Sequence, residues 1–414
     1  MKIGFFTDTY APTIDGIAIS VELFRRELVG LGHEVYIICP AASGRTKSVP
    51  KHEIRLPSWP GLWYEGYRDT LPWTAKNIDR IKDLQLDLIH THTPAQIGVL
   101  GLQIANSQGI PLVTTYHTDI EQYAKVYLRL FPGLVALMLL APVLMKDFTL
   151  YRQTLPLFKP ERNLRAWNQK VVRKGIALYM SYSDLVIAPS PKMKTLLESY
   201  GVKKTIEVLP TGLPPITKPA AGSFRAAHHL PKEAQIVLFS GRLGAEKNIE
   251  LFIRTAAILS KTHPQLYFCL AGDGPHRAKL EQLIKRARLS ERFILTGMIS
   301  QAELARVYSD ADVFFFPSLT DTQGLVTSEA AQYGLPLVYV DDQISPITQD
   351  GVNGLKVDHT ATSAARAIGR ILGDRALAKR FGAESQRLAA TISMPNQAKL
   401  LAGYYQAMLD RIGL

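Results

Sequence analysis

Two carboxylates, Asp321 and Glu329, stand eight positions apart in "LTDTQGLVTSEA", on either side of a Gln-Gly step that follows an apolar run. Eight residues is a little over two helical turns, so a helix starting near Gly324 takes Glu329 into its first two turns and leaves Asp321 in the preceding loop. Both acids then sit beside one helix N-terminus, whose N–H groups and partial positive charge suit phosphates, while carboxylates accept strongly from hydroxyls. That combination fits a sugar nucleotide; a capped surface helix with ordinary charges fits the same residues. Upstream, "SGRLGAEKN" sets Arg242 and Lys247 five apart in a loop opening at Gly241. Both cations can converge on one diphosphate, the guanidinium fork in bidentate fashion, or they are two solvated loop charges. His117 closes "PLVTTYH", where an imidazole either meets a substrate hydroxyl or is structural. His90 and His92 end "DLIHTH" in the same way, with no chemistry attached to them. In "TIDGIA" a loop gives way to a helix near Ile17, and Gly16 there allows close backbone approach to a ligand.

These residues follow short runs of β-branched and aromatic residues that alternate with amphipathic helical segments, the βα pattern of parallel sheets. Uninterrupted strand hydrophobicity implies burial on both faces, as in doubly wound α/β domains, where ligands bind at the carboxyl ends of the strands. Two such series predict an α/β chain with two Rossmann-like domains: residues 1–212, a Pro- and Gly-rich linker at 213–230, and residues 231–394. A closing helical segment, 395–414, is expected to pack back on the first domain. A length of 414 residues with 47% apolar and 20% charged residues agrees with two globular domains. Only two cysteines occur, so neither a disulfide framework nor a zinc cluster is expected, and a reducing cytoplasm fits. The first strand lacks a GxGxxG sequel and no P-loop occurs, which argues against a dinucleotide dehydrogenase or a P-loop enzyme. No signal peptide and no spanning helix are expected, since Asp8 interrupts the first apolar run.

The net charge of +12 points to an anionic partner. Between Lys146 and Lys174 stand eight basic residues, Lys146, Arg152, Lys159, Arg162, Arg165, Lys170, Arg173 and Lys174, against Asp147 and Glu161 alone. The 15 residues before them, "FPGLVALMLLAPVLM" from Phe131 to Met145, are apolar but broken by Pro132, Gly133 and Pro142, and so too short to span a bilayer. An apolar wedge beside Lys and Arg is the composition of a monotopic anchor on an anionic leaflet; an internal helix pair with a solvated basic face has the same composition. Trp59 and Trp63 in "PSWPGLWYEGYR" fit an interfacial belt, an acceptor-site wall or ordinary loop packing. Nucleic acid is disfavoured because the basic cluster abuts apolar residues rather than stacking aromatics on a sheet.

The order of "DG" loop, "YHT" strand end, "GRL..EKN", "AGDGP" and an acid pair with "TQG" between resembles the retaining glycosyltransferase family 4 over nearly the whole chain. Within it, "GFFTDTYAPTIDGIAIS" and "YHTDIEQY" look most like the bacterial diacylglycerol glucosyltransferases. The resemblance implies the GT-B fold, two facing Rossmann-like domains with a deep cleft, and a hexosyl transfer that retains anomeric configuration. It implies a nucleotide-sugar donor such as UDP-glucose, no obligatory cofactor, Mg2+ as a stimulant and no metal-binding residues. It further implies a diacylglycerol-like acceptor and a peripheral position on the inner face of the membrane. Carried over by motif, Arg242 and Lys247 neutralise the donor diphosphate, Glu329 binds the ribose, and Asp321 with Thr322, Gln323, Gly324 and Leu325 holds sugar hydroxyls and phosphate oxygens. His117 contacts the donor sugar near its reacting carbon, Asp15 and Gly16 let the first loop lie against the donor, and Gly241 belongs to the diphosphate loop. Phe131, Lys170, Arg173 and Lys174, with Trp59 and Trp63, form the membrane and acceptor set. The family commonly has Glu where this chain has Asp321, and two glycines where it reads Asp15-Gly16.

Overall fold

A computed structural model describes residues 1–13, 15–42, 50–61, 68–122, 130–159 and 161–413. The chain divides into two compact units, Met1–Gly212 with Met394–Leu414, and Leu213–Ser393. In the first, strands β1 (Lys2–Phe6), β2 (Glu34–Pro40) and β3 (Glu53–Leu56) are followed by a short antiparallel ribbon, β4 (Ser58–Pro60) and β5 (Arg68–Thr70). Then come β6 (Leu88–Thr91), β7 (Leu112–Thr115), β8 (Leu185–Ala188) and β9 (Ile206–Val208). Apart from the ribbon these build one seven-stranded parallel sheet in the order β3-β2-β1-β6-β7-β8-β9. Side chains alternate across a strand, so Phe6, Ile38 and Ile89 enter the core under helices Gln96–Gln108 and Leu164–Ser181. Ile3, Phe5, Leu88 and Val113 enter the other core, under helices Gly16–Gly30 and Met394–Arg411. Burial on both faces is what the near-continuous strand hydrophobicity requires.

The second unit holds β10 (Gln235–Ser240), β11 (Leu266–Ala271), β12 (Phe293–Gly297), β13 (Val313–Phe316), β14 (Leu337–Tyr339) and β15 (Gly354–Lys356). They form a six-stranded parallel sheet in the order β12-β11-β10-β13-β14-β15 around a core rich in phenylalanine. In both sheets the order reverses beside the first strand, at β1/β6 and β10/β13, and ligands of such sheets bind outside the strand ends at that reversal.

The segment 213–230, expected as a linker, is folded into the second unit. Leu213 and Phe224 are buried in its core, and Asp310 accepts from the backbone N–H groups of Gly222, Phe224 and Arg225 at 2.6, 2.8 and 3.1 Å, capping the short helix Ser223–Ala227. Proline and glycine mark where regular structure stops, not whether the chain is packed, which is why composition alone misreads this stretch.

Among the described residues no helix is long and apolar enough to cross a membrane. The helix Leu130–Leu144, which carries Pro142, packs Leu134, Leu137 and Met138 inward and leaves Leu139, Leu140 and Val143 exposed.

Candidate active site

In the second unit the ends of three neighbouring strands are knitted together by backbone. After β10, Gly241 donates its N–H to Ala271 O and Leu243 to Asp273 O, both at 2.9 Å, joining the loop 241–248 to the loop after β11. The approach is so close that a Cβ on Gly272 would lie 2.1 Å from Gly241 O, and Gly241 and Gly272 adopt φ of +134° and +136°. Gly272 is required because nothing larger fits, and Gly241 because side chains rarely adopt its backbone angle. The same loop is tied to the end of β13: Asn248, left-handed at φ +53°, donates to Pro317 O at 3.1 Å, and Thr320 donates to Glu246 O at 2.8 Å.

That weave carries Lys247 to Asp321, whose side chains lie 2.6 Å apart and are 20% and 18% exposed. Burial works against an ionised Asp321, but the Lys247 ammonium, with the Thr322 and Gly324 N–H groups, outweighs it and holds the carboxyl below the usual range. Asp321 is therefore ionised at neutral pH. Arg242 is exposed on the same loop, beside Gly241. Gly324, at φ +59°, is the N-cap of helix Leu325–Gln332, which has no side-chain cap, so its first turn is the kind of terminus that an anion satisfies. Thr322 donates its N–H to Asp321, Gln323 is buried, and Leu325 opens the helix. One turn on, Glu329 accepts from the Tyr308 hydroxyl at 2.9 Å, and burial pushes its carboxyl up despite that bond. The loop–helix division of the two acids is the one that their spacing predicts; Tyr308 and Asn248 as their supports carry no local sequence signal.

In the first unit, Gly16 opens helix Gly16–Gly30 behind the N-cap Asp15. The Asp15 carboxylate accepts from Ala18 N at 2.8 Å and from the Thr9 hydroxyl. These are the contacts of a helix N-cap. At the ends of β6 and β7 three histidines meet. His92 Nδ1 lies 3.1 Å from His117 Nε2, their rings stack at 5.4 Å, and His90 stacks on the other side of His92 at 4.1 Å. His90 is fixed by Tyr405 at Nδ1 and Thr115 at Nε2. Burial disfavours the charged ring in all three, holding His90 and His92 far below the ordinary imidazole range and His117 at about 4. All three are neutral at physiological pH. Among the described residues no group of His, Cys, Asp or Glu is arranged to hold a metal ion.

The residues expected at a membrane or acceptor have different surroundings. Phe131 is half-buried, its ring edge-on to Trp167 at 5.3 Å, so it faces inward. Arg173 makes a two-point pair with Glu121, 2.7 and 3.0 Å, over the ring of Tyr200, which also donates to Glu121. Its charge is spent on anchoring the segment after His117. Lys170 pairs with Glu161 at 2.7 Å on the surface, and Lys174 is exposed. Trp59 is exposed on the ribbon, and Trp63 lies outside the described residues. Within and beside the basic segment Leu139, Leu140, Val143, Phe148, Leu155 and Leu164 are exposed; other exposed apolar residues, Leu71 and Met298 among them, lie elsewhere in the chain.

Residues 14–215 match the family model described as Glycosyltransferase Family 4, and residues 222–388 that described as Glycosyl transferases group 1. An alpha-monoglucosyldiacylglycerol synthase of Streptococcus pneumoniae is 30% identical over 349 residues, 82% of this chain and 70% of that protein. Its namesake in Acholeplasma laidlawii is 28% identical, over 86% of this chain and 84% of that protein. A GDP-mannose-dependent alpha-mannosyltransferase of Mycolicibacterium smegmatis is 24% identical, over 100% of this chain and 99% of that protein. Among solved structures, the sucrose-phosphate synthase of Thermosynechococcus elongatus superposes with a TM-score of 0.73 at 21% identity, covering 99% of both chains. At that identity the likeness is one of fold.

Proposed function

This chain belongs to the retaining glycosyltransferase family 4 and has its GT-B fold, and from that premise we propose that it transfers glucose from UDP-glucose to diacylglycerol or a related membrane lipid, giving an α-glycolipid. In this reading Arg242 and Lys247 stabilise the diphosphate as the glycosidic C–O bond breaks, an electrostatic role that gains from being organised before the donor arrives. The 2.6 Å contact with Asp321 supports that organisation, since it fixes the ammonium at the loop end without donor. Glu329, steadied by Tyr308, takes the ribose; Asp321, Thr322, Gln323 and the Gly324–Leu325 helix start take sugar hydroxyls and phosphate oxygens. His117 faces the donor sugar, and Gly16 with Gly241 permits close approach of backbone. Mg2+ acts only as a stimulant here.

The acceptor rests on one observation: Leu139, Leu140 and Val143, with Phe148, Leu155 and Leu164, are exposed in the same stretch of chain as Arg152, Lys159, Arg162, Arg165 and Lys174. Apolar insertion plus about 1 kcal/mol for each basic residue near an anionic leaflet supports reversible docking on the inner face of the cell membrane. The two relatives named for glucosyldiacylglycerol synthesis agree with it.

The test is incubation with a panel of nucleotide sugars and vesicles of graded anionic content, followed by identification of the product. A glucolipid from UDP-glucose is expected, with vesicle binding that falls with salt. Leu140→Asp with Val143→Asp should release the protein from vesicles and depress lipid glucosylation in parallel. Transfer to a soluble acceptor, with no sedimentation at any lipid composition, would overturn the reading.

A further inference from the structure

The structure assigns to His92 a positioning role: its Nδ1 holds His117 in one tautomer, leaving Nδ1–H of His117 as the donor offered to substrate. The inference rests on the reading that His117 faces the donor sugar. Between His92 Nδ1 and His117 Nε2, 3.1 Å apart, one nitrogen must carry the proton and the other must accept it. The choice fixes both outer nitrogens. If His117 donated, His92 would keep its remaining proton on Nε2, and His92 Nε2 is buried with no partner. An orphaned buried N–H is the costlier defect, whereas an unpaired ring lone pair is milder. His92 therefore donates from Nδ1, keeps its buried Nε2 bare, and His117 accepts at Nε2. His117, being neutral, then carries its own proton on Nδ1.

The rings are not free to escape this arrangement. His92 is sandwiched between His90 at 4.1 Å and His117 at 5.4 Å, with Phe5 edge-on at 4.6 Å. His90, the base of the stack, is held at both nitrogens, by Tyr405 at 2.6 Å and Thr115 at 2.7 Å. A stack clamped at its base fixes the angle at which His117 is presented, and an imidazole held in the wrong tautomer presents a lone pair where a donor is needed.

His92→Phe keeps the ring and removes its nitrogens; His92→Asn keeps an N–H near the position of Nδ1. In 15N-labelled wild type, long-range 1H–15N spectra should report His117 protonated at Nδ1. In His92→Phe the two tautomers should mix, kcat should fall about tenfold and KM for the donor should stay within roughly twofold, as when a contact made in the transition state is lost. His92→Asn should restore the Nδ1–H tautomer and most of kcat. An unchanged His117 tautomer in His92→Phe overturns the assignment. A changed tautomer with wild-type kcat overturns it through its premise, the part of His117 in the transfer, and the spectra tell these two failures apart. A fall in kcat that His92→Asn fails to rescue, with melting temperature lowered in both variants, assigns His92 to packing alone.

Discussion

At the scale of single residues, the charges that matter are set by what lies against them. Asp321 remains ionised because the Lys247 ammonium lies against it, while His90, His92 and His117 are kept neutral by burial. A neutral folded imidazole has a consequence for stability. The unfolded rings titrate near 6.5, so as pH falls below that value the unfolded chain takes up protons that the folded one refuses until about pH 4 for His117. The stabilisation is fully present above pH 6.5 and is lost as pH falls toward 4. His92→Phe removes one of these groups, so its urea midpoint should drop less than that of the wild type between pH 7 and pH 5; an equal drop would mean that His92 is not held neutral. The sequence placed His117 at a strand end, yet left His90 and His92 without a role. Their partners explain why: His90 meets Tyr405, 315 positions away, and Arg173 meets Glu121, 52 positions away. Pairings at such separations leave no trace in local spacing.

At the scale of elements, the start of helix Leu325–Gln332 was legible because its causes are local, a glycine followed by a helical run with one acid on each side. The same holds for the strands, whose apolar runs are bounded by turn residues. Gly324 is the hinge of that start, at φ +59° with the Ile344 Cδ1 and Thr327 Oγ1 atoms 2.9 and 3.0 Å from where a Cβ would stand. Gly324→Ala is expected to cost about 1–3 kcal/mol, the left-handed penalty plus crowding, and to weaken binding of the free nucleoside diphosphate by re-aiming the first turn. Calorimetry with UDP checks it: undiminished affinity would remove the helix terminus from the donor site. Helix Leu130–Leu144 shows the opposite case. It is apolar on nearly every side, so no periodicity distinguishes the inward Phe131, Leu134 and Met138 from the outward Leu139, Leu140 and Val143. Only the packing decides which face is which.

At the scale of the whole molecule, each unit has its own cores, but their continuity in sequence differs. The second unit, Leu213–Ser393, is one unbroken stretch whose ends meet, Leu213 N–H donating to Ile392 O at 2.9 Å. Residues 213–393 alone should therefore melt cooperatively and bind UDP, while residues 1–212 alone should not fold, for want of Met394, Ala398, Leu401 and Tyr405 from one core. Thermal melts of the two fragments test this; a cooperative transition in residues 1–212 would show that the helix Met394–Arg411 is an accessory. Proteins emerge from the ribosome in chain order and their domains fold as units. The sheet that is made first here is consequently closed last. While the ribosome works through the second unit, Ile3, Phe5, Val21, Phe24 and Leu28 wait without the helix that covers them, and His90 waits without Tyr405. A nascent chain in that interval presents an apolar sheet face only half covered, by the helix Gly16–Gly30, the kind of surface that chaperones hold, and its histidine stack lacks Tyr405.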